Sequence, residues 1–377
     1  MAAVDKRGKV GINASIIGEN PTGLGLYTIN LIRELDRLRD DLLVYTSSPE
    51  ALGPLRAGIA PVSALVRPGR GLSGHFSRLL WTQSALRARA RMHRLGVMLN
   101  TIPEGILGFS RPQVTVVHDI VPVLFPVEYP RQQYYFRLLV PGILRASRIV
   151  VADSESTRRD IMEIYGLPPS KVRVIHPGYD PDAYFLDGAT PATGHEEVRY
   201  FVYVGNLLPH KNLLRLLDAL AILQRRGPSR LIIRGEGRSD YTRALRERIE
   251  TLGLGARVTL LEYAGARALR DLYARAVCLV LPSLHEGFGL PVLEAMACGT
   301  PVIASRGSSL SEVTGDASLM VDPYDAIGLA EAMYRVLTDR DLREGLRQRG
   351  LQRARAFGWR RTAEEMSRLL DDVLAEP

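Results

Sequence analysis

Short apolar runs alternate with longer stretches of helical spacing along most of this chain. The first run is KVGIN at 9–13, followed by the turn-rich GENPTGLG at 18–25. Residues 26–38 then place Leu26, Ile29, Leu31, Ile32 and Leu35 at the spacing of one helix face. Further strands are expected at 42–45, 61–65, 96–100, 114–117, 148–152 and 171–176, with helices over 77–95 and 134–146. Asp153-Ser-Glu-Ser-Thr157 has the cap residues and early acid of a helix start. Residues 177–197 are rich in Pro, Gly, Asp and Thr, lack periodicity and read as a linker. Beyond them the alternation resumes, with strands at 200–204, 231–234, 258–261, 276–281, 302–304 and 318–321. A helix opens at Asp322-Pro-Tyr-Asp325, and 340–374 is helical and charged. Such alternation on either side of a linker predicts an α/β protein of two domains.

The densest chemistry lies at 281–305, LPSLHEGFGLPVLEAMACGTPVIAS. Pro282 stops a buried strand, and Gly287 and Gly289 free the backbone for a tight loop. Pro291 suits the first turn of a helix, Gly299 its C-terminal end, and Pro301 forbids continuation. The amides of Gly287, Phe288, Gly289 and Leu290 then lie at a helix N-terminus beyond the carboxyl edge of a parallel sheet, a setting for a phosphate or developing anion. Glu286 and Glu294 flank them. An anion site bracketed by carboxylates suits a ligand with both phosphate and hydroxyl groups, as a nucleotide sugar has.

Glu286, seven intervening residues and Glu294 resemble the E-x7-E signature of retaining GT-B glycosyltransferases of family 4, and EGFGLP, LEAMACGTPV and SSLSEV resemble its surrounding words. YVGNLLPHKN resembles that family's first loop of the second domain, where basic residues bind the donor diphosphate. Lys211 matches the family's lysine, whereas Asn206 stands where an arginine is frequent, leaving His210 or Arg306 as possible help. GLGLYT, with Gly23 and Gly25, resembles its glycine loop facing the diphosphate or acceptor. His118, after the strand at 114–117, matches a histidine that contacts donor sugar or acceptor, with Asp119 orienting or capping. VADSESTRRD resembles a cleft-lining strand end. Arg234 and Gly235 match a loop near the nucleotide, and Glu262-Tyr263 a place where family members grip the base.

What the resemblance implies is the GT-B fold, two doubly wound, Rossmann-like domains facing across a cleft. Residues 1–178 would form an acceptor domain, 179–197 a linker, 198–355 the nucleotide-sugar domain and 356–377 a C-terminal helix crossing back, anchored by Trp359. Lys211 and the loop amides would stabilise the leaving diphosphate, Glu286 the donor sugar, and Glu294 the ribose hydroxyls, while His118 positions sugar or acceptor. No metal is required. Asp180-Pro-Asp182 matches D-x-D but follows no buried strand and reads as structural. HDIVPVLFP and YYFRLLV resemble the mannosyltransferase branch, making GDP-mannose the first donor expectation and UDP-glucose or a similar UDP-sugar the second. The acceptor would be a glycan or polyprenyl-diphosphate-linked glycan of bacterial cell-surface polysaccharide or O-antigen synthesis. A same-fold epimerase or phosphorylase is the alternative. An NAD enzyme is disfavoured because no GxGxxG with a downstream acid appears.

Composition changes this picture in two places. The chain carries 49 Lys and Arg against 41 Asp and Glu, and the excess is uneven. Residues 51–103 hold Arg56, Arg67, Arg70, Arg78, Arg87, Arg89, Arg91 and Arg94 and no acid. Sparse aromatics there disfavour nucleic acid, and Arg56–Arg94 could instead dock on an anionic membrane surface. Neither a membrane-length apolar run nor a signal-peptide core occurs, so a cytoplasmic, peripherally membrane-bound protein is expected. The only cysteines, Cys278 and Cys298, lack metal or redox spacing and read as buried thiols.

Overall fold

The computed structural model describes residues 8–19, 21, 23–68, 71–186, 200–227, 229–262 and 265–375. The chain divides into two compact units, Met1–Gly178 with Trp359–Pro377, and Tyr179–Gly358.

The first unit is built on seven parallel strands: β1 Lys9–Asn13, β2 Leu42–Thr46, β3 Gly58–Pro61, β4 Leu95–Asn100, β5 Gln113–Val117, β6 Ile149–Ala152 and β7 Val172–Val174. Their order is β3-β2-β1-β4-β5-β6-β7, so the winding reverses between β1 and β4. Val10 pairs with Leu42 on one side and Val97 on the other. Val10, Ile12, Val44, Val97, Val114 and Val116 are wholly buried. Strands covered on both faces read as unbroken apolar runs, which is why most were visible in the sequence. The edge strand β3 was not. β3 carries only GIAP, and the expected strand at 61–65 gives way to a 3-10 turn at Ala64–Val66.

Helices account for the other differences. The helix expected over 77–95 begins at Gly71 and runs to Met92, through a π-helical stretch at Thr82–Leu86. The one expected over 134–146 is two, Gln132–Leu138 and Val140–Ala146, because Pro141 supplies no backbone N–H to continue the ladder. The first helix is Gly23–Leu38, so Gly23 and Gly25 lie in its opening turns and not in a free loop. A Cβ on Gly25 would stand 2.9 Å from Pro21 Cβ.

The charged stretch at 340–374 breaks into Arg340–Ala354 and Trp359–Ala375. The second of these packs in the first unit, burying Met366, Leu370 and Val373. Arg39 fastens it, with Nη1 2.8 Å from Asp371 and 3.0 Å from Ser367 Oγ, and Thr362 donates to the His176 carbonyl at 2.7 Å. The returning segment starts at Trp359 and not at 356, because Phe357 is buried in the second unit against Phe288, ring centroids 5.8 Å apart. Tyr179 and Tyr184, expected in the linker, also pack on that unit's core. Residues 187–197 of the expected linker lie outside the described residues.

The second unit has six parallel strands, β8 Tyr200–Val204, β9 Arg230–Arg234, β10 Val258–Leu261, β11 Cys278–Leu281, β12 Val302–Ser305 and β13 Ser318–Val321. The order is β10-β9-β8-β11-β12-β13, reversing between β8 and β11. Leu216, Leu217 and Leu220 of the helix Leu213–Gln224 and Val292, Leu293 and Met296 of the helix Leu290–Ala297 are wholly buried in its core.

Candidate active site

In an open parallel sheet the loops leaving two strands at the reversal point diverge and leave a crevice beyond their carboxyl ends. The loop after β8 carries Lys211 and the loop after β11 carries Glu286. They meet there, Lys211 Nζ 2.8 Å from Glu286 Oε2. Ser283 Oγ donates to Glu286 Oε1 at 2.6 Å. Glu286 is therefore not a solvated loop carboxylate, since its side chain is only 12% exposed and that of Lys211 16%. Burial works against its charge, but Lys211, the Ser283 hydroxyl and nearby His210 outweigh that and hold its pKa below the usual carboxylate value.

The glycine loop follows. Gly289 takes φ 102°, a conformation closed to most side chains, and turns the chain into Leu290–Ala297 with Pro291 in the first turn. Ser309 Oγ lies 2.9 Å from the carbonyls of both Glu286 and Phe288, fixing the loop from the next βα turn. The Phe288 ring is buried, so its ligand-facing chemistry is confined to the backbone. Gly287 and Leu290 complete the loop around the helix N-terminus.

Glu294 sits one turn into that helix. Tyr273 donates to its Oε2 at 3.0 Å. Burial raises its pKa to about 7, against the opposing pull of Tyr273, Arg234 and Tyr184 and with Asp180 adding to the rise. Arg234, at the end of β9, is thus near Glu294. Gly235 beside it is required by close approach: a Cβ there would overlap the Gly205 carbonyl oxygen. The two loops are stitched by Gly205 N to Arg234 O at 3.1 Å and Leu207 N to Glu236 O at 2.8 Å. Asn206 and Glu262 are exposed beyond β8 and β10, and Tyr263 lies outside the described residues. Asp180 Oδ1 accepts from the amides of Asp182 and Ala183, a turn-forming role.

His118 belongs to the first unit, just past β5. Its Nδ1 is 2.7 Å from Asp153 Oδ2, past β6, and its Nε2 is 2.8 Å from the Thr101 carbonyl, past β4. Both partners only accept, so the ring satisfies them with a proton on each nitrogen. Burial disfavours that cation, yet Asp153 and Thr101 outweigh it and raise the pKa. Tyr27 packs edge-on against His118 at 4.4 Å and against Trp359 at 5.3 Å. Within the expected helix start, Asp153 is the histidine's partner and Ser154 is the cap, its side chain accepting from Thr157 N. Asp119 Oδ1 accepts from Val121 N at 3.0 Å, a local turn before the short helix Val121–Leu124, whose cap position is Ile120.

The arginine-rich stretch is less uniform than its sequence. Arg78 is buried, with Nε 2.6 Å and Nη2 2.8 Å from the two carboxylate oxygens of buried Glu104. Arg56 pairs with Asp36 and Arg67 with Glu19. Arg87 bonds to the Leu107 and Gly108 carbonyls and Arg89 to the Pro61 carbonyl, and among the described residues neither forms a salt bridge. Arg70 lies outside the described residues. Cys278 and Cys298 are free and buried, and burial pushes the Cys298 thiol up to about 12. Among the described residues no group of three or more His, Cys, Asp or Glu could hold a metal ion, and no helix is long and apolar enough to cross a membrane.

Ser283, Ser309, Tyr273, Tyr184 and Asp153 were not anticipated as site residues. The serines carried a sequence signal, lying in the loops of the glutamate motif, and Asp153 lay in the strand-end segment VADSESTRRD; the tyrosines carried none.

Two parallel-sheet units with a lysine–glutamate pair and a glycine-primed helix at one reversal point are matched by sugar-transferring proteins. Residues 191–353 match the family model described as Glycosyl transferases group 1, and residues 21–183 that of Glycosyltransferase Family 4. The chain belongs to this family of GT-B glycosyltransferases and is a hexosyltransferase. It is 28% identical over 319 residues to the O-antigen chain mannosyltransferase RfbU of Salmonella typhimurium, covering 83% of this chain and 87% of that one. It is 31% identical over 255 residues to the O-antigen chain mannosyltransferase B of Escherichia coli, covering 65% and 66%. Among solved structures, Anabaena HepE in complex with UDP-glucose superposes with TM-score 0.75 at 19% identity, over 97% of this chain and 99% of that one.

Proposed function

We propose that this enzyme is a retaining mannosyltransferase, moving mannose from GDP-mannose to a hydroxyl of a glycan or polyprenyl-diphosphate-linked glycan in cell-surface polysaccharide synthesis. The observation that carries the reading is the Lys211–Glu286 pair beside the helix N-terminus. A donor diphosphate competes with Glu286 for the Lys211 ammonium. Its arrival frees the carboxylate to hydrogen-bond the sugar and support an oxocarbenium-like centre, while lysine and loop amides meet the charge growing on the leaving phosphate. The acceptor oxygen bonds to the anomeric carbon on the face the phosphate leaves, and the phosphate oxygen takes the hydroxyl proton. Glu294 accepts from the ribose hydroxyls. His118, with both nitrogens engaged, acts through charge and shape in positioning. No metal takes part in these steps. The names of the two O-antigen relatives support mannose and the acceptor class. The UDP-glucose complex of HepE favours a UDP-sugar as the second donor reading.

The test is a thermal-shift panel of GDP-mannose, UDP-glucose, UDP-GlcNAc and ADP-glucose, followed by transfer assays with the stabilising donor. GDP-mannose is expected to raise the melting temperature and to yield an α-mannoside. Lys211→Gln should cost about 2–4 kcal/mol of transition-state stabilisation, roughly 30- to 10³-fold in turnover. Stabilisation by a UDP-sugar alone replaces the donor, an inverted product refutes retention, and near-normal turnover of the variant removes Lys211 from the site.

A further inference from the structure

Among the described residues, the non-glycine positions with positive φ are Arg94, Asn212 and Ser308. Asn212 stands next to Lys211, with φ 62° and ψ 32°. An asparagine at the start of a helix ordinarily turns its side-chain oxygen to the first free amides. Asn212 precedes the helix Leu213–Gln224 and makes no such cap. The first amide of that helix, Leu213 N, instead donates to the Tyr241 hydroxyl at 3.2 Å. The Asn212 carboxamide is committed elsewhere, its Nδ2 lying 3.0 Å from the Pro282 carbonyl and 2.6 Å from the Pro323 carbonyl. Both partners only accept, so the amide gives its two hydrogens to two separate loops.

Those loops are the ones that leave β11 and β13. The β8 loop thus meets the β11 loop through three consecutive residues. The His210 carbonyl accepts from Leu284 N at 2.7 Å, Lys211 Nζ donates to Glu286, and Asn212 Nδ2 donates to Pro282. Asn212 adds the loop after β13. The next residue of that loop, Tyr324, is held from the same helix, its carbonyl accepting from the Arg215 guanidinium. Asparagine tolerates a left-handed backbone at modest cost, and such a conformation persists where its surroundings fix it. Here the two carbonyls do so.

We infer that Asn212 is a positioning residue for glycosyl transfer: its carboxamide pins the backbone of Lys211 to the β11 and β13 loops, so that the ammonium can leave Glu286 for the donor diphosphate without the loop following it. A lysine carries its charge on a flexible four-carbon stem. Where that charge stands in the transition state therefore depends on where its backbone is held. With both amide hydrogens engaged, Asn212 acts through its neighbour. The inference rests on the donor-site reading of Lys211 and goes beyond it in naming what holds the lysine in place.

The experiment is a double-mutant cycle on the full chain: Asn212→Gly, Lys211→Gln and both together. It is read as nucleotide release from GDP-mannose, or from UDP-glucose if that is the donor that stabilises the chain. Glycine keeps the left-handed backbone open and removes only the amide. Asn212→Gly is expected to lower kcat and kcat/KM for the donor together, roughly 10- to 100-fold, at temperatures well below its own melting. In the Lys211→Gln background the same change should cost less than about twofold, because the group it positions is gone. A merely structural residue would lower the melting temperature and leave both constants in place, and that result overturns the inference. So do additive losses in the cycle. Wild-type turnover of Lys211→Gln strikes the donor-site reading and this inference with it, whereas an impaired Lys211→Gln beside a fully active Asn212→Gly strikes this inference alone. Should Asn212→Gly not fold, Asn212→Asp, which keeps the size of the side chain and only accepts, carries the same cycle with the same expected and overturning results.

Discussion

Replacing Glu294 by glutamine isolates one ionisable group in the second unit. The carboxyl is raised from its ordinary 4.5 to about 7, with burial the leading cause. At about 1.4 kcal/mol per unit, the shift corresponds to about 3 kcal/mol between the two protonation states. The sign follows from linkage. The folded chain holds this proton more tightly than the unfolded chain, so the favourable contribution is complete below about pH 4.5 and is lost as pH rises to 7, with no further loss above it. Glutamine keeps an acceptor for the Tyr273 hydroxyl and has nothing to titrate. The difference in stability between variant and wild type should therefore grow in the variant's favour from pH 4.5 to 7 and then level. Its full size, about 3 kcal/mol, is roughly 6–12 °C for a unit of this length. Taking the difference cancels the titration of Glu286 and His118, which is common to both proteins. Differential scanning fluorimetry across this range measures it. A difference that stays flat, or that favours wild type at high pH, refutes the reasoning. A second readout concerns the donor. If ribose hydroxyls donate to the carboxylate, wild-type donor affinity rises through about pH 7, and the glutamine variant loses that dependence.

Two further outcomes are expected. In Asp153→Asn the His118 ring should titrate at lower pH than in wild type, followed by imidazole NMR. Because the raised pKa stabilises the fold below the unfolded histidine value and the benefit is lost as pH rises through the folded one, the variant should be penalised at pH 6 and much less at pH 9; an unmoved resonance counts against the pair. Gly235→Ala, whose methyl would overlap the Gly205 carbonyl, should destabilise the second unit by about 1–3 kcal/mol in denaturant unfolding. A change under about 0.5 kcal/mol would mean the two loops part without strain.

The central strands were legible because burial on both faces leaves no choice but apolar side chains. Lys9–Asn13 and Tyr200–Val204 were read to the residue, and so were Val258–Leu261 and Ser318–Val321, the partly exposed edges of the second sheet, whose residues are still mostly apolar. The first sheet's edge strand Gly58–Pro61 was not, since it pairs with one neighbour and carries no pattern of its own. The start at Gly71 was hidden by glycines that tertiary packing overrides. At the site, the contiguous motif around Glu286 was readable, whereas its companions depend on long-range closure. Tyr273 reaches Glu294 from a different helix, 21 positions away, and Asp153 reaches His118 across 35. Glu104 cancels Arg78 from 26 positions away, which no count of charges in a window reveals.

The helix Trp359–Ala375 has a consequence for how the chain comes into being. Residues 179–358 form an uninterrupted unit with its own sheet, but the first unit waits for them. A ribosome delivers seven strands and the helix Gly23–Leu38, then a whole second unit, and only afterwards the helix that covers Ile29, Ile32 and their neighbours. Throughout that interval the first unit presents an apolar trough on the nascent chain, and Arg39 waits for Asp371, separated from it by 332 positions. Such closure is slow and open to misassembly. The second unit can be produced alone as a continuous fragment. The first unit can be produced alone only with its final helix spliced back on.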